Sequence, residues 1–210
     1  MKNAVKNIIF DLGGVLFDID YTLTIGAFEK IGVKNFDAIL TKKNQSDLFN
    51  RLEEGKISAT KFTAELSQLS GVALKKEDVA WALNTMLFNI PSPRFDLLND
   101  LRKKYRIFLY SNINEIHAEE VHRLLQDKHG IVKLNGHFEK VYYSHELGIR
   151  KPNPEGFLHI IHEQKISPKE TLFIDDSPQH IDGAIKAGLQ AVWLDLEKQD
   201  IHGLIADLGL

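Results

Sequence analysis

Apolar residues fall along this chain in two rhythms. From residue 94 onward, short unbroken apolar runs alternate with segments whose apolar positions recur every three to four residues. The runs are Ile107-Phe108-Leu109-Tyr110, Val141-Tyr142-Tyr143, Thr171-Leu172-Phe173-Ile174 and Ala191-Val192-Trp193-Leu194. Each reads as a strand buried on both faces, because a strand with one wet face would alternate apolar with polar residues. The intervening spacing predicts a helix through Phe95, Leu97, Leu98 and Leu101, then helices over about 115–128, 154–164 and 181–187. A further run, Ile8-Ile9-Phe10, supplies a first strand near the N-terminus. Strand and helix by turns imply a parallel sheet covered on both sides.

The block 21–88 keeps only the helical rhythm. Ser58 reads as an N-cap, Phe62, Leu66 and Leu69 follow at helical spacing, and Gly71 closes that segment. Val79, Ala82, Leu83, Met86 and Leu87 fit a second helix, and Phe49 and Leu52 belong to a third that ends at Gly55. Strand signals are missing here, and Ile90-Pro91-Ser92-Pro93 reads as a linker. The expected fold is therefore α/β, a doubly wound parallel-sheet core formed by 1–16 and 94–210. A helical domain, 17–93, is inserted after the first strand, with hinges near 17–20 and 90–94.

Bulk properties narrow the function. A chain of 210 residues is long enough for one core and a sizeable insertion. A formal net charge of −3 leaves no basic footprint for nucleic acid. No apolar run reaches the length of a membrane span, and Asp11 sits where a signal peptide needs its apolar stretch. The absence of cysteine removes disulfides, thiolate catalysis and zinc–thiolate sites together. A cytoplasmic location is the expectation.

Ligands of open α/β sheets sit outside the carboxyl ends of the strands, so the residues just past each strand are the informative ones. Asp11 follows the first strand, with Gly13-Gly14 behind it. Ser111-Asn112 follow the second, Lys151 stands in the loop Gly148-Ile149-Arg150-Lys151-Pro152 after the third, and Asp175-Asp176-Ser177 follow the fourth. Taken singly, these are ordinary turn caps and a loop lysine. Together they place three carboxylates, an ammonium, a hydroxyl and an amide at one rim. Carboxylates that would repel one another in a bare cleft are relieved by a hard divalent cation such as Mg²⁺. A helix N-terminus after Ser111-Asn112 favours an anion. A cation and donors around a carboxylate describe a phosphoryl site, in which Asp11 attacks phosphorus to form an aspartyl-phosphate that water hydrolyses.

The strings IIFDLGGVL, LYSN, GIRKPNPEGF and LFIDDSPQHIDGAIKAG, in that order, closely resemble the four motifs of the haloacid dehalogenase superfamily and span residues 8 to 194. The wording DLGGVLFDID most resembles its glucose-1-phosphate phosphatase-like branch. The resemblance implies a helical cap over the substrate, Asp11 as nucleophile and Mg²⁺ ligand, and Gly13 offering its backbone carbonyl to the metal. It implies Ser111 and Asn112 as the phosphate-binding pair, Lys151 as the neutralising lysine, Asp176 as the acidic metal ligand, and Asp175 as a ligand or its neighbour. Arg51, in the loose cap match FNRLEEGKIS, becomes a candidate for touching the leaving group. The expected substrate is a small phosphorylated metabolite, a sugar phosphate by preference.

Two positions depart from the family pattern. Most of its phosphatases carry Asp two residues after the nucleophile as general acid and base; here Gly13 has no proton to give. Asp18 or Asp20 would be substitutes, although both read more simply as hinge or cap residues. His180 stands where Asn is usual and is expected to act only peripherally. A metal-free dehalogenase is opposed by Asp175-Asp176, and a phosphosugar mutase by Gly13; a non-catalytic phosphometabolite-binding protein is the remaining rival. His117, His122, His145, His159 and His162 read as packing or surface histidines, and Gly183-Ala184 as small residues that let a helix lie close.

Overall fold

The structure, a computed structural model, describes residues 4–36 and 43–210; residues 37–42 of the expected helical block lie outside the described residues. The strands of the core are β1 (Asn7–Phe10), β4 (Arg106–Ser111), β5 (Lys140–Tyr143), β6 (Thr171–Asp175) and β7 (Gln190–Trp193). They form one sheet in the order β5-β4-β1-β6-β7, and every neighbouring pair is parallel. The chain moves outward from β1 through β4 to β5, then returns across β1 to build β6 and β7. That reversal beside β1 is the crevice where such sheets bind ligands.

Side chains alternate across a strand, so each apolar run feeds two cores. Ile8, Phe10, Ile107, Leu109, Leu172 and Ile174 face one layer, covered by α5 (Ser92–Leu101), α6 (Glu115–His129) and α10 (Ile201–Leu208). Ile9, Phe108, Tyr110 and Phe173 face the other, where α8 (Pro154–Gln164) and α9 (Pro178–Lys186) contribute Phe157, Ile160, Ile181 and Ala184. The fold is the doubly wound α/β arrangement that unalternated strands require. Gly183 lies against the backbone carbonyl of Pro152, where a Cβ would collide. Its smallness thus seats α9 on the loop after β5, while Ile181 and Ala184 face the sheet.

The inserted block holds α1 (Tyr21–Lys30), α2 (Lys43–Glu53), α3 (Ala59–Ser70) and α4 (Lys76–Asn84). Ser58 caps α3 by accepting from the Lys61 N–H, and Gly71 ends it in the left-handed conformation. Phe28, Phe36, Leu52, Phe62, Leu66, Val79 and Leu83 form a separate apolar cluster, joined by Ile116 of α6.

Two expectations change here. The block is not purely helical: β2 (Asp18–Ile19) pairs antiparallel with β3 (Leu87–Asn89) where the insertion leaves and rejoins the core. Leu87 therefore belongs to a strand, and α4 stops at Asn84; two- and three-residue strands are too short to show a period. Nor is Ile90-Pro91-Ser92-Pro93 a linker throughout, because α5 starts at Ser92. Pro93 sits in its first turn, where the missing N–H breaks no helical bond. Among the described residues, no helix is long and apolar enough to cross a membrane.

His117 joins insertion to core. Its Nε2 lies 3.2 Å from the Leu83 carbonyl at the end of α4, and its Nδ1 lies 3.2 Å from Asn114 Nδ2. A carbonyl only accepts, so Nε2 carries the proton and Nδ1 accepts from the amide. Burial pushes the imidazole pKa down to about 4 from the ordinary 6.5. The unfolded chain therefore binds a proton between those values while the folded chain does not. Stability should be full above pH 6.5 and fall as the pH drops toward 4, by up to about 3 kcal/mol. Urea midpoints across this range would record the decline, and His117→Gln should flatten it.

Candidate active site

The parallel sheet brings the carboxyl ends of β1, β4 and β6 and the loop after β5 to one rim. There the Lys151 side chain, 0% exposed, places Nζ 2.7 Å from Asp11 Oδ1 and 2.7 Å from Asp175 Oδ2. Its Nζ also stands 5.5 Å and 5.3 Å from the ring centroids of Tyr110 and Phe173, so aromatic faces complete its surroundings. Burial alone would discharge such a lysine, but Asp11 and Asp175 outweigh it and hold the ammonium pKa above the usual value.

The three carboxylates differ in state. Burial also acts to raise Asp175, yet Lys151 and His180 prevail and its carboxyl is held below the ordinary range. Burial first, and the charge of Asp175 second, push Asp11 up to about 7 despite Lys151. Asp176 is raised by burial and then by Asp175. One buried lysine thus leaves the carboxylates of Asp11 and Asp176 under-neutralised. That donor set, hard oxygens with excess negative charge, suits a divalent cation of the Mg²⁺ type.

Gly14 lets these groups approach. Its φ of +76° belongs to the left-handed region, and a Cβ there would run into the Asp176 carboxylate. Asp176 lines a cleft of about 460 Å³ together with Asp11, Gly13, Ser111, Asn112, Ser177, His180, Arg150, Tyr21 and Glu53.

Several side chains do work that the sequence did not announce. Ser111 closes β4 and stays in the cleft, but Asn112 does not cap a helix. Its Nδ2 donates to the Lys151 carbonyl at 2.9 Å, and its Oδ1 accepts from the Lys151 N–H at 2.8 Å. Asn112 thus clamps the backbone that carries the lysine, while Asn114 caps α6. His180 is not peripheral: its Nδ1 stands 2.9 Å from Asp175 Oδ1, and the Ser177 N–H donates to the same oxygen at 2.8 Å. The start of α9 at Pro178 puts residue 180 in the first turn, facing the strand end; a histidine five residues after an aspartate at a helix start was the available signal.

Arg51 does not line the cleft. Its Nη2 is bound to Glu65 at 2.6 Å and its Nε to Asp47 at 3.0 Å, both within the insertion. The insertion instead presents Tyr21 and Glu53, with Glu53 Oε2 accepting from Arg150 Nε at 2.8 Å. Neither substitute acid reaches the site. Asp18 pairs with Arg94 at 2.6 Å, and Asp20 caps α1 by accepting from the Thr22 N–H at 2.9 Å. Ile19 Cδ1 lies 3.1 Å from where a Gly13 Cβ would stand, so apolar surface crowds that position. His122 and His145 bind Tyr143 and the Ile113 carbonyl, and His159 Nε2 stands 3.8 Å from Glu163.

The family model for haloacid dehalogenase-like hydrolases covers residues 5–188, and the chain belongs to that family. Among its relatives is the D-ribitol-5-phosphate phosphatase of Bacteroides thetaiotaomicron, 37% identical over 177 residues that make up 84% of this chain and 85% of the relative. A HAD family enzyme of the same organism, solved with magnesium and inorganic phosphate, superposes with a TM-score of 0.84 at 33% identity, covering 96% of this chain and 99% of that one. A HAD-like family hydrolase from Porphyromonas gingivalis gives a TM-score of 0.86 at 34% identity, with 98% of each chain covered.

The Asn112 clamp is testable through stability. Asn112→Ala strands two backbone groups and should cost about 1–3 kcal/mol, read as a lower urea midpoint with an unchanged slope. Asn112→Asp, which sets a carboxylate against the Lys151 carbonyl, should cost at least as much. A midpoint for Asn112→Ala equal to that of the unaltered protein would show that the clamp carries no weight.

Proposed function

We propose that this chain is a Mg²⁺-dependent phosphatase that hydrolyses small phosphorylated sugars or sugar alcohols through an aspartyl-phosphate on Asp11. The observation that carries the reading is Lys151, fully buried between Asp175 and Asp11, the latter lining a polar cleft. Phosphatase relatives, and a related structure holding magnesium and phosphate, support phosphoric monoester hydrolysis with Mg²⁺ as cofactor.

The residues divide the work. Asp11, the Gly13 carbonyl and Asp176 would hold Mg²⁺, with Asp175 beside them, and the cation supplies positive charge where carboxylates and phosphoryl oxygens meet. Lys151 fixes Asp11 through Oδ1, leaving the other oxygen to attack phosphorus. The Lys151 ammonium and the Ser111 hydroxyl stabilise charge on the phosphoryl oxygens. The bond from phosphorus to the leaving oxygen breaks, and that oxygen takes up a proton from solvent water as the alcohol departs. Water then attacks the same phosphorus, the bond to Asp11 breaks, and inorganic phosphate leaves with the carboxylate restored.

Gly13 supplies no proton for either step. General acid–base help is typically worth about 10²–10⁴-fold, so good leaving groups should be favoured. p-Nitrophenyl phosphate should be hydrolysed only with Mg²⁺, and EDTA should stop the reaction. Asp11→Asn should lower turnover by more than about 10³-fold. Phosphate release that survives either treatment would rule out this mechanism.

A further inference from the structure

The residues lining the cleft are of two kinds. Asp11, Ser111 and Asp176 serve the phosphoryl group in the reading above, while Glu53, Arg150 and Tyr21 come from the insertion and the loop before Lys151. The second set includes none of the groups needed to break the ester. We propose that Glu53 and Arg150 form a hydroxyl-recognition pair for the leaving group, selecting phosphates of polyhydroxylated compounds over those of hydrocarbon or charged alcohols. This rests on the phosphatase reading and narrows its substrate class.

Glu53 is held by the core rather than left to swing. Its Oε2 accepts from Arg150 Nε at 2.8 Å, and its backbone carbonyl accepts from Ser144 Oγ at 2.6 Å. Two residues on, Gly55 packs so closely on the His145 carbonyl that a Cβ would overlap it. The Glu53 and Arg150 side chains are only 27% and 26% exposed, yet both line the cleft. One hydrogen bond between them leaves most of the acceptor capacity of the carboxylate and most of the five donors of the guanidinium for a ligand.

The pair also constrains what that ligand is. Its charges cancel, so it offers no net attraction to an ammonium or a carboxylate on the leaving group. An acceptor and a donor side by side match adjacent hydroxyls, each of which donates and accepts at once. An apolar recess of about 70 Å³, lined by Phe17, Ile19, Met86 and Leu87, adjoins the cleft and shares Tyr21, Glu53, Ser111 and Asn112 with it, so what the pair recognises depends on hydrogen bonding rather than on space. A polyol laid between Ser111 and Glu53 satisfies the pair; an alkyl chain there strands two desolvated ions.

The test compares a pentitol 5-phosphate with 1-pentyl phosphate, which has the same chain length and no free hydroxyls. The unaltered enzyme with Mg²⁺ should favour the pentitol by at least about 10²-fold in kcat/KM. Glu53→Gln should lower kcat/KM for the pentitol by about 10–100-fold, chiefly through KM, and leave 1-pentyl phosphate nearly unchanged. In the Asp11→Asn background, calorimetry should show the same Glu53→Gln weakening for the pentitol phosphate and none for inorganic phosphate. Equal losses on both esters would make the pair a general latch on the insertion and overturn the proposal, as would an unaltered enzyme that hydrolyses both esters equally well. Absence of hydrolysis even of p-nitrophenyl phosphate would instead defeat the phosphatase reading, with the calorimetric comparison still deciding hydroxyl recognition.

Discussion

A lysine ammonium with no exposure to water, held between two carboxylates, is the contact on which the rest of this structure turns. Removing Lys151 would leave two buried carboxylates without their shared cation, at roughly 3–5 kcal/mol. Lys151, Asp11 and Asp175 therefore constrain one another's positions tightly. The constraint spreads outward. Asn112 fixes the backbone of Lys151 from the end of β4, His180 and the Ser177 N–H fix Asp175 from the start of α9, and Gly183 lets that helix rest on the same loop. Four segments far apart in sequence are thereby tied to one cation.

This arrangement is a poor choice for stability alone, since well-packed apolar groups would serve a core as well or better. Its value lies in the charge that remains. Burial and the charge of Asp175 raise the proton affinity of Asp11 and Asp176 beyond what one lysine offsets, and Asp11 stands at the open cleft. The structure concentrates unrelieved charge at the reversal point of the sheet, and the chemistry follows from that placement.

The insertion adds the other half of the cleft. Its own apolar cluster lets it fold around Phe28, Phe62 and Leu66, while Ile116, His117 and the Glu53–Arg150 pair fasten it to the core. The joints combine the apolar packing of Ile116 with polar bonds that include the Ala59 N–H to Glu115 and Lys128 to the Phe88 carbonyl. Of the pair proposed to meet a leaving group, Glu53 sits on the insertion and Arg150 on the core loop beside Lys151.

Much of this was legible in the residues themselves. Unalternated runs such as Ile107-Phe108-Leu109-Tyr110, alternating with helical segments, read as strands covered on both faces, and parallel strands put their carboxyl ends on one side. Asp11, Ser111, Lys151 and Asp175-Asp176 were therefore bound to converge, whatever the details. The sequence did not decide which partner each side chain takes. Arg51 turned to Glu65, Glu53 to Arg150, Asn112 to the Lys151 backbone and His180 to Asp175. Periodicity records which face a residue occupies, because burial acts on every residue of an element alike. Pairing depends on where helices start, on rotamers and on neighbours a hundred residues away, and only the packed chain settles those together.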